Sequence, residues 1–320
     1  MEPDEPLARE RGAVTVALTR FESHCARGGW GAPVGVRLDA DRAHFQHGPI
    51  DLVIGIEAAS EAVDAALAAA WNRFDGLLEE LVAELPGLRA PAERSAALRG
   101  PVAHRMAEAC RAHLPAFITP MASVAGAVAD EIVSEIAGVT GVRRAYVNNG
   151  GDIALHLAPG ARFRVGMVAD PGRAMRHGHA FALDGSFEID AALPVRGIAT
   201  SGWRGRSWSL GIADSVTVLA RDAASADAAA TMIANAVNVD HPSVERAPAA
   251  SVDDNTDLGE RLVTVDVGLL DRDSIERALN EGVERAQRLV SRGIVWGAAL
   301  MLQGHARVVG AATTLREATT

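Results

Sequence analysis

The amino-acid sequence predicts an α+β fold in which mixed, largely antiparallel sheets pack against helices. Two observations predict it. Several long segments repeat apolar residues at a spacing of three to four, which is typical of amphipathic helices. Other segments alternate apolar and polar residues between short turn sequences, which indicates strands joined by hairpins. Strands joined by hairpins are antiparallel, so this pattern argues against a doubly wound parallel sheet.

The first half of the chain predicts strands followed by three helices. Residues 31–58 alternate around two turn sequences and predict two or three antiparallel strands. Residues 60–87 carry apolar side chains at helical spacing up to a stop at Pro86, so they predict one long helix. Residues 100–114 and 119–139 predict two further helices.

The second half predicts mainly strands. Segments typical of strands occur between residues 143 and 222, and residues 224–237 predict a fourth helix. Residues 242–260 are polar and contain proline, so they predict a long surface loop. The remaining predicted elements are a strand, a helix and a closing hairpin, at 261–268, 271–293 and 298–310.

Length and composition are those of a globular protein. The 320 residues are 48% hydrophobic, which suffices for a large core. We expect one domain over 1–320, with two intimate lobes as the alternative and a disordered N-terminus at residues 1–12. The formal net charge of −10, without a basic run, argues against nucleic acid or an anionic membrane as a partner. The sequence shows no apolar run of membrane length and no secretion signal, so we expect a cytoplasmic location.

Neither cysteine nor histidine shows a metal-ligand pattern. The two cysteines, Cys25 and Cys110, are too far apart for a zinc spacing. His177 and His179 lie close together beside a predicted loop, but no further ligand accompanies them. The sequence therefore does not support a zinc site.

Residues 148–152 read Asn-Asn-Gly-Gly-Asp between two apolar stretches. Asn-Gly and Gly-Gly are strong turn dipeptides, so a β-hairpin is one interpretation. A ligand-binding loop is the other, because glycine lets a ligand approach the backbone closely. Asn148, Asn149 and Asp152 would then supply directional polar contacts. The residues alone leave both interpretations open.

A second candidate segment places two hydroxyls, on Thr200 and Ser201, directly before Gly202. A turn explains this segment, and a serine nucleophile is the alternative, although the G-x-S-x-G elbow is not present. Three side chains that follow could stack on a phosphorylated or carboxylated ligand and balance its charge, or could simply be solubilising: Trp203, Arg204 and Arg206.

The strongest candidate is a polar stripe on the fourth predicted helix. Asp227, Thr231 and Asn235 are spaced by four residues, so they share one face of an otherwise apolar helix. A buried carboxylate is costly unless it is paired or binds a metal. A helix cap would explain Asp227 or Ser225, but not the two deeper residues. Carboxylate, hydroxyl and amide oxygens form a ligand set suited to Mg²⁺.

Taken in order, these motifs resemble the ApbE family, the FAD:protein FMN transferases once linked to thiamine biosynthesis. They resemble more closely a shorter branch of that superfamily, an uncharacterised protein family. The resemblance covers the chain from about residue 30 to residue 310. It implies an ApbE-like, T-fold-like domain that uses Mg²⁺ to split the pyrophosphate of FAD. FMN then goes to a serine or threonine of a target protein, or to water.

The resemblance also implies roles for individual residues. Asp227 and Thr231 match the side-chain ligands of the family's Mg²⁺. The motifs that line the flavin site match six residues: Gly126, Asn148, Asn149, Gly150, Gly151 and Gly202. The residues expected to take part in catalysis are Asp152, Thr200 and Ser201.

Two departures from the family pattern keep alternatives open. Ala125 stands where the family has lysine, and the family's HxxDPxTG loop is missing before the strand that begins at Ser215. Besides a flavin enzyme, we therefore consider a hydrolase of a small carboxylated or heterocyclic molecule, such as a small organic acid. A third alternative is non-catalytic binding of a flavin or nucleotide. The helices rich in alanine and glycine are compatible with a homodimer.

Overall fold

A computed structural model describes residues 20–21, 30–95, 98–167 and 185–310. Several of the sequence predictions concern residues outside these ranges: the disordered N-terminus, Cys25, and the pair His177 and His179. The start of the strand segment predicted before Gly185 also lies outside them.

The predicted α+β class is confirmed. The described strands are β1 (Arg20–Phe21), β2 (Val34–Arg37), β3 (Arg42–His47), β4 (Ile50–Glu57), β5 (Arg144–Asn149), β6 (Asp152–Leu157), β7 (Arg162–Met167), β8 (Gly185–Asp190), β9 (Gly197–Ser201), β10 (Ser215–Ala220), β11 (Val244–Pro248), β12 (Leu262–Val267), β13 (Val295–Leu302) and β14 (His305–Gly310). Ten of them form one antiparallel sheet in the order β1-β2-β3-β4-β5-β6-β9-β10-β13-β14. The pairs β7–β8 and β11–β12 form two small antiparallel sheets.

The described α-helices overlap the predicted ones except for one inside the predicted loop at 242–260, and the helix predicted over 119–139 begins with a 3-10 helix at Pro120–Ser123. They are α1 (Ser60–Phe74), α2 (Leu77–Ala83), α3 (Leu85–Leu88), α4 (Pro101–Arg111), α5 (Val124–Ala137), α6 (Ala223–Ala236), α7 (Ala249–Val252) and α8 (Arg272–Ser291). The single helix predicted over 60–87 is wrong, because Gly76 takes a left-handed conformation (φ +100°) that separates α1 from α2. The surface loop predicted over 242–260 is also wrong, because it contains β11 and α7.

Two buried clusters form on the helix-covered face of the large sheet, and a third, separate cluster joins β6, β8, β9 and β10. One buried cluster joins β3 and β4 to α1, α2, α4 and α5, with Phe45, Trp71 and Phe74 in mutual ring contact. A second cluster joins β10 and β13 to α8. Helix α6 contributes alanines to both clusters, among them Ala228 and Ala229. Helix α6 is therefore the central helix, packed between these two clusters.

Helices α5 and α6 meet at a close backbone contact. A Cβ atom built on Gly126 would lie 2.2 Å from the carbonyl oxygen of Ala223. A side chain at this position would force the helices apart, since protein interiors are close-packed and transmit such strain. Gly126 is therefore explained by helix packing.

Each of these two helices also sends a carboxylate to the N-terminus of the other. The Asp130 carboxylate of α5 accepts hydrogen bonds from the N–H groups of Ala223 and Ala224 (2.9 and 2.8 Å). The Asp227 carboxylate of α6 accepts one from the N–H of Gly126 (3.0 Å). These contacts satisfy N–H groups that a helix cannot satisfy internally, and the negative charges suit the positive ends of the helix dipoles.

No helix in the described ranges combines the length and the apolar character that crossing a bilayer requires.

Replacing Gly126 by alanine tests the contact between α5 and α6. We expect Gly126→Ala to lower the free energy of unfolding by about 1–3 kcal/mol or more, because the new methyl group would overlap the backbone of α6. Gly138→Ala, at the C-terminal end of α5, is the matched control, since its Cβ would lie 3.4 Å from the nearest atom. Urea denaturation of both variants measures the difference. Equal stability of the two variants would contradict the packing explanation.

Candidate functional site

A cavity of about 270 Å³ opens at the ends of two central strands of the large sheet, where β6 begins and β9 ends. Asp152 and Ser201 reach it from the sheet, and Asp227, Thr231 and Asn235 reach it from α6. The remaining wall comes from the segment before α5, the segment between β9 and β10, and residues 253–258. The structure thus brings the predicted polar stripe and two of the three expected catalytic residues to one cavity.

Asp152 and Asp227 form a pair of carboxylates on this cavity, each partly buried. Asp152 accepts a hydrogen bond from the backbone N–H of Thr200 (3.1 Å). Burial raises the pKa of Asp152 to about 7, while the Thr200 N–H and the positive charge of Arg206 act in the opposite direction. Burial, followed by repulsion from Asp152, also raises the pKa of Asp227 well above its usual range. A bound cation would relieve the cost of ionising both groups.

A metal at this pair would need ligands other than carboxylates. Within the described ranges, no group of three or more histidine, cysteine, aspartate or glutamate side chains is placed to hold a metal. The hydroxyl of Thr231 lies on the same cavity and has no hydrogen-bond partner among the residues described. Thr231 is one helical turn from Asp227, so the two side chains project from the same face of α6.

Asn235 has a structural role instead. Its side-chain oxygen accepts hydrogen bonds from the hydroxyl of Ser209 (3.2 Å) and the N–H of Leu210 (2.9 Å). The oxygen that the sequence offered as a third metal ligand is therefore occupied. Asn235 anchors the segment between β9 and β10 to the central helix.

The Asn-Asn-Gly-Gly-Asp motif forms the hairpin turn between β5 and β6. Asn149 pairs with Asp152, and Gly150 and Gly151 both have positive φ angles (65° and 116°), as a two-residue hairpin turn requires. The side-chain oxygen of Asn148 accepts a hydrogen bond from the N–H of Gly151 (2.8 Å). Asn149 is buried and donates to the carbonyl oxygen of Ala125 (3.1 Å), which ties the turn to α5. Of this motif, only Asp152 lines the cavity.

The two hydroxyls of the second motif face opposite sides of the sheet. Ser201 lines the cavity, whereas the Thr200 hydroxyl hydrogen-bonds to that of Thr217 on the neighbouring strand (2.9 Å). The Thr200 side chain therefore lies on the other side of the sheet from the cavity, because alternate residues of a strand point to opposite faces. Gly202 does not line the cavity either. Backbone packing explains this glycine, because a Cβ there would lie 2.4 Å from the Asp214 carbonyl oxygen.

The side chains after Gly202 divide into two groups. Arg204 stacks on Trp203 (4.5 Å to the ring centroid) and pairs with Asp214 (3.2 Å), so both serve local structure. Arg206 and Trp208 line the cavity.

One wall of the cavity was missed by the sequence analysis. Residues 253–258, assigned to a surface loop, line it with Asp253, Asn255 and Asp257 among others. Asp257 accepts a hydrogen bond from the Thr119 hydroxyl, and Arg261 lies over the ring of Phe117 (3.2 Å to the centroid). These contacts join segments more than a hundred residues apart in the sequence, and local patterning carries no signal for such a pairing.

Two kinds of comparison relate the chain to known protein sequences. A family model described as AbpE bacteria matches residues 36–308. The UPF0280 protein of Methanothermobacter thermautotrophicus is 40% identical over 142 residues, which is 43% of this chain and 50% of that protein. The UPF0280 protein of Methanopyrus kandleri is 38% identical over 157 residues, which is 48% of this chain and 59% of that protein. The chain spans about half the length of the curated relatives that it matches.

Solved structures show weaker similarity. The ApbE protein of Thermotoga maritima has a TM-score of 0.42 at 12% identity, and the alignment covers 94% of this chain and 99% of that protein's chain. The flavinyl transferase ApbE of Pseudomonas stutzeri, in its apo form, has a TM-score of 0.33 at 12% identity and covers 80% of this chain and 74% of its own.

The carboxylate pair predicts that the free energy of unfolding of the metal-free protein falls as the pH rises. Because the pKa of Asp152 is about 7 in the folded chain and near the ordinary aspartate value of 3.8 in the unfolded chain, the unfolded chain loses this proton first as the pH rises. The metal-free protein should therefore lose stability as the pH rises from about 4 to about 7. Asp152→Asn removes this loss and keeps an acceptor for the Thr200 N–H. We expect the variant to be more stable than the wild type at pH 8 and similar to it at about pH 4.

Denaturation in the presence of a chelator, at both pH values, measures this difference. Asp64→Asn is the control, because Asp64 is an exposed residue of α1 that does not line the cavity. It should leave the pH dependence unchanged. A variant Asp152→Asn that is less stable than the wild type at pH 8 would show that the ionised carboxylate stabilises the fold.

Proposed function

Because the match over residues 36–308 shows that the chain belongs to the AbpE bacteria family, we propose that it is a Mg²⁺-dependent flavin enzyme. The proposed reaction is cleavage of the pyrophosphate of FAD: the FMN phosphorus forms a bond to the oxygen of a protein hydroxyl or of water, which loses its proton, and AMP is the leaving group. The observation that carries this proposal is the pair of partly buried carboxylates, Asp152 and Asp227, beside the unpartnered Thr231 hydroxyl on one cavity.

The residues present fit a magnesium ion. Mg²⁺ prefers oxygen ligands and usually binds one or two carboxylates, with water and phosphate oxygens completing its shell. Asp227 and Thr231 would hold it from α6, and Asp152 would add its charge from the hairpin. The like charges of the two carboxylates supply a physical reason for a cation at this point. When bound, the ion would neutralise charge that develops on the phosphate oxygens.

The protein's own groups complete the site. Ser201 lies at the end of β9 on the same cavity, where its hydroxyl can donate a hydrogen bond to an oxygen of the ligand. The backbone N–H of Thr200 keeps Asp152 oriented, and Gly126 does the same for Asp227. Fixed acceptors and donors of this kind lower the cost of reorganisation during a reaction.

The size of the cavity favours a second candidate function. At about 270 Å³ it lies just below the range of about 300–1,000 Å³ typical of pockets for drug-sized ligands. It would hold part of an FAD molecule or the whole of a smaller one. Ala125, which stands where the family pattern has lysine, lines it with a short apolar side chain. The second candidate is a hydrolase of a small carboxylated or heterocyclic substrate that uses the same carboxylate pair.

Flavin chemistry and metal binding are tested together. Purified protein is mixed with FAD and Mg²⁺, and FMN release is followed by fluorescence and chromatography, with metal affinity measured separately by calorimetry. Asp227→Asn keeps an oxygen acceptor for the Gly126 N–H, so the variant should fold. We expect it to lose at least about tenfold in Mg²⁺ affinity and in FMN release, because a charged ligand is removed. Asp64→Asn should match the wild type.

Three outcomes separate the candidates. FMN release that Asp227→Asn abolishes supports the flavin enzyme. Metal binding without FAD binding or release excludes it and supports the smaller substrate. If the wild-type protein binds no divalent metal at all, the metal site is wrong under either candidate.

A further inference from the structure

We propose that the cavity contains a subsite for an oxyanion of the ligand, a phosphate or a carboxylate, held by the guanidinium of Arg206. This inference rests on the proposed use of the cavity as the ligand site, but not on FAD being the ligand. Arg206 lines the cavity together with the hydroxyl-bearing residues Ser201 and Ser207. Hydrogen-bond donors are therefore grouped on the side of the cavity formed by the end of β9 and the segment that follows it.

The guanidinium of Arg206 is available for a ligand. Arg206 makes no hydrogen bond or ion pair with any other residue in the described part of the chain. Three arginines on neighbouring segments are already engaged, since Arg204 pairs with Asp214, Arg261 lies over Phe117 and Arg246 donates to the carbonyl oxygen of Leu210. Among the lining residues that the structure describes, Arg206 is the one with a positively charged side chain.

Arg206 is held in place by the hairpin that carries Asp152. A Cβ built on Gly150 would lie 2.1 Å from a guanidinium nitrogen of Arg206, so the guanidinium rests directly on the bare backbone of this turn. Gly150 also requires its positive φ angle of 65°. Two independent constraints therefore keep this position free of a side chain and leave room for Arg206.

The segment bearing Arg206 is fixed at both ends. The N–H of Trp203 donates to the carbonyl oxygen of Ala213 (3.0 Å), and Asn235 accepts from the N–H of Leu210 (2.9 Å). The guanidinium is thus carried on an anchored loop next to Asp152, whose charge it already influences. Pre-positioning reduces the entropy that a flexible arginine would lose when it binds a ligand.

The chemistry of this arrangement selects an oxyanion. A guanidinium presents parallel N–H donors that match two oxygens of a phosphate or a carboxylate. A cation at Asp152 and Asp227 would leave the neighbouring cavity favourable for negative charge. The ligand class is therefore a phosphate ester, a diphosphate or a carboxylic acid, with its anionic group directed to Arg206.

Titration calorimetry with two anions tests the subsite and shows whether it prefers a phosphate or a carboxylate. Inorganic phosphate and malonate are each titrated into the full chain, with and without Mg²⁺. We expect Arg206→Gln to weaken binding of the preferred anion roughly ten- to hundredfold, because a charge-assisted pair of hydrogen bonds is lost. Arg206→Lys should bind with intermediate affinity, since lysine keeps the charge but not the fork of donors. Added NaCl should weaken wild-type binding.

Arg204→Gln is the matched control, because Arg204 is a neighbouring exposed arginine that does not line the cavity. Its anion affinity should equal that of the wild type. Equal losses in both variants would point to the general charge of the loop and overturn the proposal, as would a wild-type protein that binds neither anion. If the protein binds an anion through Arg206 but never releases FMN from FAD, the subsite stands and the flavin function fails.

Discussion

Where α5 and α6 cross, each helix receives a carboxylate from the other across a contact that only glycine permits. Asp130 binds the two free N–H groups at the start of α6, and Asp227 binds an N–H at the start of α5. Burial raises the pKa of Asp130 to about 7, while these N–H donors act against the rise. Without Gly126 the helices could not come close enough for either carboxylate to reach. The positions of both core clusters depend on this crossing, because α6 contributes to each.

The same crossing gives Asp227 two tasks. One carboxylate oxygen accepts the N–H of Gly126, and the side chain also lines the cavity. The alternatives of helix cap and metal ligand, opposed in the sequence analysis, are therefore compatible for this residue. The cap of α6 itself is Asp222, whose carboxylate accepts the N–H of Ser225 (2.7 Å). A carboxylate already held by a backbone N–H is pre-oriented, which favours metal binding because little side-chain freedom remains to be lost.

The sequence was sufficient to predict the features that depend on local periodicity and turn chemistry, such as the polar stripe of α6. It was not sufficient for the features that depend on tertiary contacts. The helical spacing of Asp227, Thr231 and Asn235 places all three on the cavity, but only the folded segment at Ser209 shows that Asn235 is occupied. Ser201 could be separated from Thr200 only once the pairing of β9 with β10 was known. Residues 253–258 are held at the cavity by the hydrogen bond between Asp257 and Thr119. These two segments are far apart in the sequence, and neither carries a local pattern that predicts the contact.

The charges on the cavity constrain how a ligand could enter it. Four carboxylates from the described residues line it, those of Asp152, Asp227, Asp253 and Asp257, against the single guanidinium of Arg206. A diphosphate or carboxylate that arrived alone would meet this excess of acidic side chains, and the repulsion would grow as Asp152 and Asp227 lose their protons. A divalent cation at Asp152 and Asp227 removes most of this repulsion and leaves Arg206 free to act on the anion. On the proposed function, the cation must therefore bind before the anionic ligand or together with it, and anion affinity should rise with Mg²⁺ concentration until the carboxylate pair is saturated.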